Sequence, residues 1–230
     1  QGIITNRWTF IASYLLHNAL SDNPVDLKAG EYEIKKNASM ADVLDTLVQG
    51  KSILSKLTIP EGLTSQQIVE RVRAAEDLIG DIEVIPPEGS LLPDTYRFSR
   101  GMARQELLDF QTFGKVKSIL QHWAKRQPDL PIKSPQEVVI FASIVEKETG
   151  RPDERDRVAG VFMNRLRQGM RLQSDPTVIY GLAGGQGSLG RPITRSDLAK
   201  ETAHNTYQIK GLPPSPICNP GRSAIRETLN

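Results

Sequence analysis

The chain has 230 residues, of which 38% are hydrophobic and 24% charged, the composition of a folded globular protein rather than a disordered one. Its 29 basic and 27 acidic residues nearly balance, and no Lys/Arg run carries interleaved aromatics, so nothing points to a dedicated nucleic-acid binder. The one cysteine, Cys218, excludes an internal disulfide and a cysteine-based metal cluster. The three histidines, His17, His122 and His204, lack the paired spacing of a zinc site.

The sequence starts at Gln1 rather than Met, so any signal peptide or membrane anchor is expected ahead of it. Residues 7–20 predict an amphipathic helix with Trp8, Ile11, Tyr14 and Leu15 on one face. A short strand is predicted over 31–34, after the break at Gly30. Ser39 then caps a helix in which Met40, Val43, Leu44, Leu47 and Val48 recur at helical spacing, and Gly50 ends it. Residues 53–59 read as a second strand. Thr64-Ser-Gln-Gln67 is a capping box opening a helix through Val72, with Leu63 and Ile68 placed to form a hydrophobic staple. Strand, capped turn and helix thus occur twice between residues 31 and 75, the pattern of a small α+β binding module.

Residues 80–101 shift to Pro and Gly and predict a structured connection. A long helix follows over 104–125, predicted to bury Leu107, Phe110, Phe113, Val116, Ile119, Leu120 and Trp123 before Pro128 and Pro131 stop it. Further helices are predicted over 135–149 and 154–168, from Pro176, and around 196–202. The fold class is therefore α+β, in three stretches: a small module over 1–78, a connection with the long helix over 79–133, and a mainly helical region over 134–230.

The helix from Pro135 opens on Ser134 as N-cap, with Pro135 at its first position and Glu137 at its third. Its longest apolar run, residues 138–145, falls far short of the ~18 residues that span a bilayer and reads as buried helix. Glu146 lies four residues after Ala142 and seven after Val139, on the same buried face. Burial there raises the pKa of a carboxyl, as a general acid working near neutral pH requires. The alternative is a solvated residue in the last turn. Against that stands the helix dipole, which disfavours both Glu146 and Glu148 at this end.

Downstream, residues 171–180 gather polar groups around a helix start, where Asp175 reads either as N-cap or as a site residue. Gln173 and Tyr180 have no such capping duty. His204-Asn-Thr-Tyr207 and the Pro-rich segment to Gly221 follow. Asn205 and Tyr207 suit a sugar site, an amide for hydroxyls and a ring for the apolar face, or else ordinary turns. No G-x-S-x-G occurs and Cys218 has no neighbouring His, so a serine or cysteine hydrolase is disfavoured.

EGSLLPDTYRF, FASIVEKETG, NRLRQGMRLQSDPTVIYG and HNTYQIKGLPPSPICNPG, in that order along the chain, resemble the YceG-like family of endolytic murein transglycosylases. The resemblance runs from about Leu27 to the last residue. It implies a LysM-like N-terminal subdomain and a helical, lysozyme-like catalytic region. It places the catalytic acid on Glu146 and lines the glycan groove with Gln173, Asp175, Tyr180, Asn205 and Tyr207, with no cofactor or metal. It further implies peptidoglycan glycan strands as substrate and cell-wall synthesis enzymes as candidate partners. The expected location is the extracytoplasmic side of a bacterial cytoplasmic membrane, with a transmembrane anchor ahead of Gln1 and a strand-forming, aromatic segment after Asn230.

The reaction so implied is non-hydrolytic cleavage between N-acetylmuramic acid and N-acetylglucosamine, leaving a 1,6-anhydro ring. Two rivals stand beside it: a hydrolytic muramidase using Glu146 and Asp175, and a non-catalytic peptidoglycan-binding scaffold. Glu148, two residues from Glu146 on a helix, points elsewhere and is a poor second carboxyl.

Overall fold

The computed structural model describes residues 6–20, 26–27, 30–50 and 52–229. The chain divides into two compact units, residues 1–56 with 97–102, and residues 57–96 with 103–230.

In the smaller unit, α1 (Arg7–Leu20) packs against α2 (Met40–Gln49). No residue of α1 is fully buried: of the predicted apolar face Trp8, Ile11 and Leu15 are exposed and Tyr14 is half-buried, and the Ser13 hydroxyl lies 3.4 Å from the Met40 sulfur. The start and stop of α2 follow the sequence signals. Ser39 accepts from the Asp42 N–H while the Asp42 carboxylate accepts from the Ser39 N–H, and Gly50 ends the helix with a left-handed φ of 66°. Val43 and Leu44 are its buried residues. The strand predicted over 31–34 does not form. Glu31 accepts one backbone bond from Ile53 (2.7 Å), and a single bond does not make a ladder.

The chain crosses between the units in β1 (Ser55–Thr58), shorter than the strand predicted over 53–59. It continues through α3 (Ser65–Arg73), capped by Thr64 and Gln67 as predicted, then β2 (Leu78–Ile79), β3 (Thr95–Phe98) and β4 (Met102–Ala103). β1 pairs with β3 and β2 with β4. The rest is helical: α4 (Arg104–Trp123), α5 (Pro135–Glu148), α6 (Arg155–Arg167) after a 3-10 turn, α7 (Asp175–Ala183), α8 (Arg195–Ala199) and α9 (Arg222–Leu229). The fold is thus α+β with helices dominant.

The larger core is built on α5. Val138, Phe141, Ile144 and Val145 pack with Phe162, Leu172, Ile217 and Ile225, and the Phe141 and Phe162 rings meet edge to face at 6.4 Å. α9, which the sequence reading did not single out, packs on α4, α5 and α6.

α4 departs most from expectation. Leu107 is buried as predicted, and Ile119 and Trp123 reach the core edge. Phe110, Phe113, Val116 and Leu120, by contrast, face solvent, Phe113 with 69% of its surface exposed. The inward face carries Leu107, Leu108, Gln111, Lys115 and Ser118. Two contacts favour this rotation: Lys115 Nζ donates to the Pro220 carbonyl, and Gly114 lets Leu92 approach to where a Cβ would sit 3.2 Å from its Cδ2.

Candidate active site

All groups of this site lie in the larger unit. Ser134 caps α5 by accepting from the Glu137 N–H at 3.2 Å, while the Glu137 carboxylate reaches one residue further out, to the Lys133 N–H. α5 carries Glu146 in its last turn, and Thr149, in extended conformation, stops it. The apolar run carries the burial through to Glu146, whose side chain is 4% exposed, whereas Lys147 and Glu148 are solvated.

Three segments converge on that carboxyl. Arg155, at the start of α6, donates from Nη2 to Glu146 Oε1 at 2.6 Å and to Glu61 Oε2 at 2.8 Å. Those two carboxylate oxygens are therefore at most 2.6 plus 2.8, or 5.4 Å, apart. Gly221, immediately before α9, donates its N–H to Glu146 Oε2 at 3.0 Å, so the carboxylate sits at the positive end of that helix. A Cβ on Gly221 would overlap the Glu61 carboxylate as it is placed, so a side chain here would push Glu61 from this position. Lys115, from α4, completes the surroundings behind the Pro220 carbonyl.

Glu61 is brought here by a clasp between two turns. Gly62 donates to the Asn219 carbonyl (3.1 Å), and Asn219 donates to the Leu63 carbonyl (2.8 Å). Asn219 is fully buried, and its side-chain amide also serves Leu91, Ser65 and Glu88.

Burial is the largest influence on Glu146 and pushes its pKa above the ordinary carboxyl value. The Gly221 N–H pulls it down, the Glu61 charge pushes it up, and Arg155 and Lys115 pull it down; the outcome is upward. Glu88 is raised too, by burial, against hydrogen bonds from Ser65 and from the Tyr180 hydroxyl. Burial lowers Lys115 to about 7. The thiol of Cys218, wholly enclosed, is pushed up and cannot serve as a thiolate nucleophile.

The predicted groove residues fall into two groups. Residues 173–175 are laced to the 205–207 turn: Gln173 N–H to Thr206 O (3.1 Å), Ser174 N–H to Thr206 Oγ1 (2.9 Å), and Tyr207 hydroxyl to Asp175 Oδ1 (2.6 Å). That last bond raises Tyr207 to about 12. Gln173 is exposed with a left-handed φ of 52°, a strained backbone of the sort found at functional turns. Asp175 is not the N-cap of α7. Ser174 holds that position and donates its hydroxyl to Glu148 Oε2 (2.7 Å), tying this turn to the end of α5. Asn205 is fully buried; its amide donates to the Leu198 and Lys200 carbonyls and accepts from the Tyr207 N–H, so it braces the turn from beneath. Tyr180 stands apart from this group, donating to Glu88 and packing its ring edge-on to His204 at 4.9 Å.

Sequence reasoning missed Glu61, Glu88, Lys115, Arg155 and Gly221. The two Pro-Glu-Gly turns and the Asn-Pro-Gly turn were the available signals for three of them, Glu61, Glu88 and Gly221, but nothing local says that the turns meet. Among the described residues no group of three or more His, Cys, Asp or Glu side chains could hold a metal ion, and no helix is long and apolar enough to cross a membrane.

Residues 1–230 match the profile of the YceG-like family over their whole length. An endolytic murein transglycosylase of Streptococcus pneumoniae is 30% identical over 256 residues, covering 90% of this chain and 45% of the relative. One of Bacillus subtilis is 31% identical over 145 residues, covering 63% of this chain and 39% of the relative. The chain thus spans about half the length of the curated relatives it matches, or less. The crystal structure of a yceG-like protein from Listeria monocytogenes is similar with a TM-score of 0.59 and 28% identity, covering 99% of this chain and 81% of that one.

Proposed function

The chain belongs to the YceG-like family, and from that premise we propose that it carries the catalytic machinery of an endolytic murein transglycosylase, with Glu146 as acid and then base. One observation carries the reading. Burial raises the pKa of the Glu146 carboxyl, yet two donors, Arg155 and the Gly221 N–H, stand ready to receive its anion. Protonated Glu146 donates to the glycosidic oxygen as the bond from C1 of N-acetylmuramic acid breaks. Its carboxylate, held by Arg155 and Gly221, then takes the proton of the muramyl C6 hydroxyl as that oxygen bonds to C1. The acid is regenerated, no water is consumed, and the products are a free 4-hydroxyl and a 1,6-anhydro end.

In this reading Gln173, Asp175, Tyr180 and Tyr207 line the groove, and Asn205 holds the turn that presents Tyr207. A LysM-like, glycan-binding role for residues 1–78 rests on the family resemblance and on the capped helices α2, in the smaller unit, and α3, in the larger one. A peptidoglycan substrate would call for a location on the extracytoplasmic side of the cytoplasmic membrane, with cell-wall synthesis enzymes as candidate partners.

A hydrolytic second reading is favoured by one observation, the carboxylate of Glu61 beside Glu146. Asp175, the second carboxyl expected from sequence, instead accepts the Tyr207 hydroxyl. Mass spectrometry of glycan strands digested by the full-length protein separates the two. Internal cuts ending in 1,6-anhydromuramic acid, lost in Glu146→Gln by the ~10²–10⁴-fold that general acid–base catalysis contributes, are expected. Reducing ends as the main product would establish hydrolysis, and a folded, active Gln variant would remove Glu146 from the chemistry.

A further inference from the structure

We propose that Lys115 is a positioning residue that acts on Glu146 through the peptide group joining Pro220 and Gly221. The two hydrogen bonds involved belong to one planar unit: the Lys115 ammonium donates to the carbonyl of Pro220, and the N–H of the same peptide donates to Glu146 Oε2 at 3.0 Å. The proposal rests on the reading of Glu146 as the reacting acid.

Lys115 is 1% exposed, on the inward face of α4. An ammonium in such a place is costly unless something answers its charge. Among the described residues it forms no ion pair within 4.0 Å, and the Pro220 carbonyl is its hydrogen-bond acceptor. Hydrogen bonds in series polarise one another, and a bond with an ionised partner is about twice as strong as a neutral one. A positive charge on the carbonyl end of the peptide therefore strengthens its N–H as a donor to the Glu146 anion. The arrangement stabilises the carboxylate just after it has given up its proton, without placing a second cation against the substrate.

The other groups facing Lys115 are Glu146, Glu61, Arg222 and Cys218; those facing Glu146 are Glu61, Arg155 and Lys115. Burial lowers Lys115 to about 7, so at more acidic pH it carries the charge that reaches the Pro220 carbonyl. Apolar packing alone does not explain a lysine at this position, since Leu or Met would fill it without the charge.

The test is a carbon-13 NMR titration of the Glu146 side-chain carboxyl in wild type, Lys115→Met and Lys115→Arg. Loss of the cation in the Met variant is expected to raise the Glu146 pKa by on the order of one unit. Arginine, which can still donate to Pro220, is expected to return it most of the way. A folded Met variant with an unmoved Glu146 titration overturns the proposal. Coupling is mutual, so Glu146→Gln must lower the titration of Lys115, followed at its own Cε. An unchanged Lys115 overturns the proposal even where Lys115→Met fails to fold. Neither measurement depends on glycan cleavage: absence of cleavage would defeat the transglycosylase reading and leave this coupling standing, and the reverse also holds.

Discussion

Glu61 and Glu146 share one donor: Nη2 of Arg155 lies 2.8 Å from an oxygen of the first and 2.6 Å from an oxygen of the second. The Arg155 side chain is 7% exposed and that of Glu61 40%, so the guanidinium links a solvated carboxylate to an enclosed one. Such an arrangement sets how readily Glu146 ionises, and the effects of removing each partner have opposite signs.

Glu61→Gln removes an anion that disfavours ionisation of Glu146 and frees Arg155 for Glu146 alone. The Glu146 pKa falls, and the alkaline limb of kcat/KM against pH, which reports loss of the acid form, moves to lower pH. Turnover at the optimum is expected within about tenfold of wild type, well short of the ~10²–10⁴-fold loss in Glu146→Gln. A loss as large as that of Glu146→Gln would make Glu61 a second catalytic carboxyl.

Arg155→Met acts the other way, raising the Glu146 pKa and moving the alkaline limb upward. Stability at pH 7 is expected to drop by about 2–3 kcal/mol. That is less than the ~3–5 of a fully buried pair, because Glu61 keeps solvent and Glu146 can protonate. Since the folded-state pKa of Glu146 then lies still further above its unfolded value, the deficit shrinks as pH falls through the folded value. Chemical denaturation at pH 5 and pH 7 measures it; an equal deficit at both would show that Arg155 acts by packing alone.

Lys115 gives the opposite pH signature. Its folded pKa of about 7 lies below the ordinary lysine value of 10.5, so between those values the unfolded chain binds more protons and stability rises with pH. Lys115→Met removes that rise. The stability of the variant relative to wild type should therefore be most favourable at and below pH 7 and decline towards pH 10, by on the order of a few kcal/mol. A pH-independent difference would mean that Lys115 titrates near its ordinary value in the folded protein.

Asn205 and Tyr207, neighbours in the sequence motif, should separate on substitution. Asn205→Ala removes the amide donor to the Leu198 and Lys200 carbonyls, of which Leu198 keeps Gln208, and the acceptor of the Tyr207 N–H, and is expected to lower stability by about 1–3 kcal/mol. Tyr207→Phe removes one hydroxyl bond to an exposed Asp175 and is expected to change stability by less than ~1 kcal/mol while lowering turnover. Melting curves alongside rates distinguish them; a Tyr207→Phe protein as unstable as Asn205→Ala would assign both residues to the scaffold.

The sequence by itself determined what depends on neighbours within about four residues. The caps of α2, α3 and α5 are side chains answering backbone N–H groups one turn away, and each forms where its Ser or Thr stands. The burial of Glu146 was equally legible, because it continues the buried face of Val139 and Ala142 at helical spacing. Only the tertiary structure decided what surrounds that carboxyl. Arg155 and Glu61 are 94 positions apart, and Lys115 and Pro220 105, and no periodicity announces either meeting. The same is true of which side of α4 faces inward. Helical spacing offered the aromatic face of Phe110 and Phe113, yet Lys115 is inside. A helix with apolar residues on several sides is oriented by the partners it finds, here the Pro220 carbonyl and the close approach of Leu92 at Gly114, and not by its own periodicity.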